Sequence, residues 1–250
     1  MDYDELRVSH MHTNNPTLKR TLSLIAMVFY GLGTIVGAGI YVLIGEITAE
    51  AGAWSPLAFV TAAVIAGFTG LSYAELVGRY PRSAGEAAYI EKAFQKAWLT
   101  QLVGWSVVLT GLVSAATLLK GFSGYFIDLF GGIEYIIITT TIVFMCLLAC
   151  SGVKQSVGFA VAVTLLELLG LLLVIVVSTN ELTVTAHWQR WAHGLIDFSW
   201  SGIIGATLLA FYAFIGFEDM VNMAEEVEEA STTLPKAIIL PSSHQRLFIY

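Results

Sequence analysis

Three features of this sequence carry residue types that can do chemistry, and all three sit in apolar surroundings. The first is Gly37-Ala38-Gly39, inside the stretch GLGTIVGAGIYVLIG from Gly31 to Gly45. That stretch belongs to a charge-free run from Thr21 to Gly45 and holds five glycines: Gly31, Gly33, Gly37, Gly39 and Gly45. Each interior glycine weakens a helix by about 1 kcal/mol relative to alanine. The run therefore predicts a helix broken at Gly37-Ala38-Gly39. In lipid, a broken turn persists only where its freed N–H and C=O groups meet protein partners or face a cavity. Amides at the start of a half-helix carry partial positive charge and suit a carboxylate. Carbonyls left at the end of the other half, such as that of Ile35, accept hydrogen bonds from an ammonium group. Such a seat suits a zwitterion. Plain close packing through Gly33 and Gly37, a small-xxx-small pair, is the competing reading.

The second feature is Phe211-Tyr212-Ala213-Phe214-Ile215-Gly216-Phe217-Glu218. Carbonyls around Tyr212, Ala213 and Ile215 can complete an ammonium site, and the rings of Tyr212 and Phe217 can close over a ligand. An aromatic belt at a membrane interface gives the same composition. Glu218 follows a charge-free run of 20 residues, and reads as a gating or proton-sensing carboxylate or as the end of a helix. The third feature is Glu167, with twelve uncharged residues before it and thirteen after. A carboxyl group near mid-membrane is costly and is a functional hypothesis by default. Proton coupling is one role for it; a hydrogen bond to a neighbouring helix is the other. Glu75 and Arg79, four apart in the favourable order, read as a structural pair. The acidic cluster Glu225, Glu226, Glu228 and Glu229 reads as a solvated face. Metal-ligand spacing, a phosphate loop and a nucleophile–base motif are all absent, so neither an enzyme, a metal nor a cofactor is expected.

These residues need a membrane scaffold to position them. Of 250 residues, 56% are hydrophobic and 12% charged, about half the charged share of a soluble domain. The composition predicts an all-α polytopic membrane protein. The expected organisation is a tail over 1–17, a transmembrane domain over 18–241 and an atypical end over 242–250. Spans are expected at about 21–45, 54–77, 98–119, 134–153, 157–178 and 198–222. Between the second and third, Ile90, Phe94 and Trp98 are spaced four apart, which predicts a short surface helix. Cys146 and Cys150, one turn apart, are expected to pack rather than to bridge. With the N-terminus inside, every Lys and Arg except Lys120 and Arg190 falls on the inner side. The positive-inside rule therefore puts both termini in the cytoplasm. No basic patch points to nucleic acid. The first and sixth spans both lose continuity at glycine, as an inverted repeat of five helices would require, and such a pair marks a transporter's binding site.

Three stretches carry a family resemblance that covers about Leu18 to Ile239: GLGTIVGAGIYVLIG, then GLSYAELVGRYPRSAGEAAYIEKAF from Gly70, then AFYAFIGFEDMVNMAEEVEEASTTLPKAI from Ala210. The sequence resembles the amino acid–polyamine–organocation superfamily of amino acid permeases, its cationic amino acid transporter branch and that branch's bacterial relatives. The resemblance implies a leucine-transporter-like inverted-repeat bundle with helices one and six unwound. An amino acid would bind between them in the cell (plasma) membrane and cross by proton-coupled alternating access. On this resemblance the Ala38 and Gly39 amides hold the carboxylate, carbonyls of Ile35, Tyr212, Ala213 and Ile215 hold the ammonium, and Phe217 caps the site. The sequence departs from the pattern in two places. Some relatives carry a lysine in the fifth helix where Glu167 stands. After Pro235-Lys236-Ala237-Ile238 the chain turns polar at Ser242-Ser243-His244-Gln245-Arg246. The resemblance thus implies the first repeat plus the sixth helix, an N-terminal portion that does not transport alone. A truncated, non-transporting membrane subunit is the alternative.

Overall fold

The fold, taken from a computed structural model, is described for residues 18–181 and 198–244. The expected tail 1–17, most of the 180–197 loop and residues 245–250 lie outside the described residues. In chain order the helices are α1 (Leu24–Ala51), α2 (Ser55–Arg79), α3 (Gly85–Phe94), α4 (Ala97–Phe130) and α5 (Glu134–Cys150). They continue with α6 (Val153–Glu181), α7 (Trp200–Phe214), α8 (Phe217–Asn222) and α9 (Ala230–His244), and a 3-10 turn, Gly52–Trp54, joins α1 to α2. Among the described residues, four stretches are long and apolar enough to cross a membrane: Leu24–Arg79, Ala97–Phe130, Val153–Ser178 and Trp200–Asn222. The apolar α5 is shorter, at 17 residues. The chain is a helical multi-pass membrane protein.

Local signals set the helix ends. The Ser23 hydroxyl accepts from the Ala26 amide (3.4 Å) and caps α1, satisfying one of the amides that have no partner within the helix. Gly52, at φ 54°, ends α1 in a conformation that side-chain-bearing residues disfavour. Pro56 then sits in the first turn of α2, where its missing N–H costs nothing. Gly131 and Gly132, at φ 72° and 125°, turn the chain between α4 and α5.

Packing is built on small residues. In α2, Ala58, Ala62, Ala66, Gly70 and Ala74 are buried at every fourth position, a stripe that lets neighbouring backbones approach. Its first half meets Ala206, Ala210 and Phe214 of α7, with Ile35, Ile47 and Ala51 of α1, in one buried cluster. Its second half, Ala74 and Val77, joins Leu22, Met27, Phe217, Met220, Val227, Leu234 and Ile238 in another. A backbone clasp closes this second cluster: the Thr21 and Leu22 amides donate to the Glu226 carbonyl (2.9 and 3.1 Å), and the Glu228 amide donates to the Leu22 carbonyl (3.0 Å).

The remaining faces of α4, α5 and α6 are largely exposed and apolar; Trp105, Leu112 and Leu166 are examples. Hydroxyls on those faces bond back into their own helices, as Ser106 does to the Leu102 carbonyl, Thr110 to Ser106 and Thr139 to Tyr135. Those hydroxyls are satisfied within their own helices.

Several expectations need correction. The surface helix is α3 alone: it ends in a left-handed Gln95, so Ile90 and Phe94 share it, while Trp98 belongs to α4. Helix α4 runs on to Phe130, past the 98–119 span, so Lys120 is helical and pairs with Glu134 of α5. Cys146 and Cys150 are free, as expected, but exposed rather than packed. The Glu225–Glu229 cluster is exposed except at Glu226, which is half-buried with an unpartnered Oε2. Helix α9 continues through Pro241 to His244.

Candidate functional site

Within α1 the backbone leaves helical geometry at Gly37, where φ is −50° and ψ −146°. Further along, α7 stops at Phe214; Ile215 is extended at φ −72°, ψ 136°, and Gly216 (φ 168°) leads into α8. The two interruptions touch. The Thr34 hydroxyl lies 3.3 Å from the Gly216 carbonyl and 3.1 Å from that of Gly31, and donates toward both. A Cβ built on Gly216 would sit 2.8 Å from Thr34 Oγ1 and 2.9 Å from the Thr34 carbonyl carbon. At φ 168° any residue can adopt the backbone, so the glycine is required by space.

Glu167 of α6 faces the first interruption. Both its carboxylate oxygens lie 3.7 Å from the position a Gly37 Cβ would take, and among the described residues its carboxylate has no ion-pair partner. Tyr41 fixes the approach of α6: its hydroxyl donates to the Glu167 backbone carbonyl (3.1 Å), and its own carbonyl accepts from Tyr125 of α4 (2.8 Å). Gly39 packs on α7, with 3.1 Å between its built Cβ and Ala213 Cα. The structure thus brings Ile35, Gly37 and Gly39 of α1 together with Ala213, Ile215 and Gly216, and adds Glu167 to the group. Ala38 lies in the same turn.

Other residues singled out from the sequence are engaged elsewhere. Tyr212 is half-buried and donates its hydroxyl to Ser114 Oγ of α4 (2.9 Å), and its carbonyl accepts from the Ile215 amide (3.3 Å). Phe217 is buried, its ring 5.0 Å from that of Tyr73. Glu218 is half-buried, and its Oε2 is enclosed without a hydrogen-bond partner. Gly31 and Gly33 serve packing, since their built Cβ atoms would meet Met220 Sδ (2.4 Å) and Thr164 Oγ1 (2.1 Å). The Glu75–Arg79 pair forms at 2.5 Å on an exposed face. Sequence reasoning missed Thr34, Tyr41 and Thr164. The spacing offered one clue to the last: Thr164 and Glu167 lie three apart on one helix face, opposite Gly33 and Gly37, which lie four apart.

The described residues form an apolar multi-helix bundle with two touching departures from helical geometry and a carboxylate on a helix long and apolar enough to cross a membrane. The sequence profile of the amino acid permease family matches residues 20–242, and the chain belongs to that family, within the amino acid–polyamine–organocation superfamily. It is 30% identical over 245 residues to the vacuolar cationic amino acid transporter 4 of Arabidopsis thaliana, an alignment covering 88% of this chain and 40% of that protein. It is 29% identical to the branched-chain amino acid permease BcaP of Bacillus subtilis, over 89% of this chain and 51% of that protein. A methylthioribose transporter of the same bacterium is 25% identical, over 91% of this chain and 52% of that protein. The chain spans about half or less of the length of these relatives.

Proposed function

We propose that this chain forms the substrate seat of a secondary active amino acid transporter that works by proton-coupled alternating access. The observation that carries the reading is the contact between the two helix breaks through Thr34 and Gly216. Unwound helices one and six would meet there, in the arrangement of a leucine-transporter-like inverted repeat. The substrate carboxylate would be held by the Ala38 and Gly39 amides. Its ammonium would take the carbonyls of Ile35, Ala213 and Ile215, with Tyr212 contributing a second lone pair. Phe217 closes the far side. Glu167, against Gly37, and Glu218, beyond Gly216, are the coupling carboxylates. The protein sits in the plasma membrane with both termini cytoplasmic. The named substrates of its relatives include cationic and branched-chain amino acids and methylthioribose, so the class assigned here is the amino acid itself.

Equilibrium binding of labelled amino acids to the purified chain in lipid nanodiscs tests the seat. A Gly39→Leu variant, whose side chain would be driven into Ala213, is expected to lose binding. Unchanged affinity would remove α1 from the seat.

A further inference from the structure

Where α3 turns into the long apolar helix α4, away from the seat, the structure holds a cleft of about 540 Å³. Glu91, Lys92 and Gln95 line it from the α3 side, and Ala97, Thr100 and Gln101 from the first turns of α4. Gln95 makes the corner between the two helices. Its φ of 52° is left-handed, a conformation for which glycine is the usual residue at a helix end. Glutamine takes on that strain and brings a side-chain amide to the cleft. Two opposite charges also line it. Glu91 and Lys92 are neighbours in sequence, so the helix splays them by about 100°. Among the described residues neither joins an ion pair. A ligand that engages both carries a cation and an anion a few atoms apart. Beside the carboxylate, the amide oxygens of Gln95 and Gln101 add acceptors, which suits the three N–H donors of a primary ammonium. A quaternary ammonium is recognised by aromatic faces, and no aromatic ring is among the lining residues. The Lys92 ammonium suits a phosphate.

The position of the cleft along the helix indicates what carries those charges. Ala97 opens a stretch, Ala97–Phe130, that is long and apolar enough to cross a membrane, so the cleft lies at the level of the lipid headgroups. Trp98 is 62% exposed there, in keeping with the preference of tryptophan for the interface. From Gln101 the same face of α4 continues with Trp105, Val108 and Leu112, all exposed. At about 1.5 Å per residue, the strip from Gln101 to Leu112 is about 16 Å long, close to one leaflet of a ~30 Å hydrocarbon core. A soluble zwitterion leaves such a strip bare, whereas an acyl chain covers it. We propose that the corner between α3 and α4 is a binding site for one phospholipid with a primary-amine headgroup, as in phosphatidylethanolamine. Lys92 takes the phosphate, Glu91 with Gln95 and Gln101 takes the ammonium, and an acyl chain lies along Trp105, Val108 and Leu112. The bound lipid holds the corner at headgroup level.

Native mass spectrometry of the chain, released from nanodiscs of mixed composition, tests the site through the lipids that stay bound. Phosphatidylethanolamine should be retained about three- to tenfold over phosphatidylcholine, the size of a hydrogen bond partly shared with water, and also over phosphatidylglycerol. Glu91→Gln should remove most of that preference, and Lys92→Gln should lower retention of phosphatidylethanolamine itself. Gln95→Gly relaxes the left-handed corner, so it should fold at least as well as the wild type and lose part of the preference. Lys154→Gln, which removes an exposed cation of α6, should change nothing. Soluble phosphoethanolamine should compete only weakly, because it lacks the chain that the strip receives. Competition as strong as the lipid's overturns the proposal in favour of a small phosphate ester. Equal retention of the three lipids, or a preference for phosphatidylglycerol, overturns it as well, the strip then being covered by bulk lipid or by another protein segment. So does a preference that survives both Glu91→Gln and Lys92→Gln, or one that Lys154→Gln removes.

Discussion

Replacing Gly216 with alanine should pry apart the two helix breaks. The added methyl would lie 2.8 Å from Thr34 Oγ1, 2.9 Å from the Thr34 carbonyl carbon and 3.0 Å from Ile35 Cγ1. All three atoms belong to α1, so side chains or backbone of that helix must move. Overpacking of this kind costs about 1–3 kcal/mol. The Thr34–Gly216 hydrogen bond, lost in the movement, adds about 0.6 kcal/mol within a membrane. The sum is about 2–4 kcal/mol, or roughly 4–16 °C in Tm for a chain of this size. Thermal unfolding in nanodiscs reads this directly. Gly45→Ala is the matched control: Gly45 is exposed in the same helix with nothing within 4 Å of its built Cβ. That change should be neutral or stabilising by up to ~1 kcal/mol. Thr34→Val, which removes the hydroxyl and keeps the bulk, should reproduce only the hydrogen-bond part of the loss. Should Gly216→Ala melt with the wild type, the two breaks are not in contact, and the argument for a shared seat fails with them.

Two further outcomes are expected. Gly33→Ala drives its methyl onto Thr164 Oγ1 and should destabilise by about 1–3 kcal/mol; adding Thr164→Ala should restore part of that stability, and strict additivity in the double-mutant cycle would deny the contact. Burial and then the neighbouring Glu225 hold Glu226 above its usual 4.5. Because the folded state binds that proton more tightly, its contribution to stability is full below about 4.5 and is lost as pH rises through the raised value. Unfolding measured against pH should therefore show a decline above the ordinary carboxylate range that Glu226→Gln flattens, and an unchanged slope in that variant would rule the group out.

Much of the scaffold was legible because the membrane restricts what a sequence can mean. Charge-free runs gave the helices, and the glycines at Gly37 and Gly216 marked positions where the backbone departs from helical geometry. Glu167 stood out because a lone carboxyl group in a long apolar run has few explanations. What was not legible depends on which side chains meet. Periodicity joined Phe94 to Trp98, but the left-handed turn at Gln95 separates them. Glu86 carried no signal in the sequence, because its second oxygen is enclosed only once α3 has packed. Thr34 carried no signal at all, since a threonine in an apolar helix usually bonds back to its own turn, and this one also reaches across to Gly216.

The back-bonded hydroxyls of α4 and α5 have a consequence for how such a protein is made. A face whose polar groups are satisfied within its own helix presents the same hydrogen-bond account to acyl chains and to another helix. Lipid can therefore occupy that face during insertion and later be displaced by protein without any donor or acceptor changing partner. Where only such hydroxyls are met, assembly is a matter of shape and dispersion, and the polar choices on these helices fall to Ser114, Tyr125 and the Lys120–Glu134 pair.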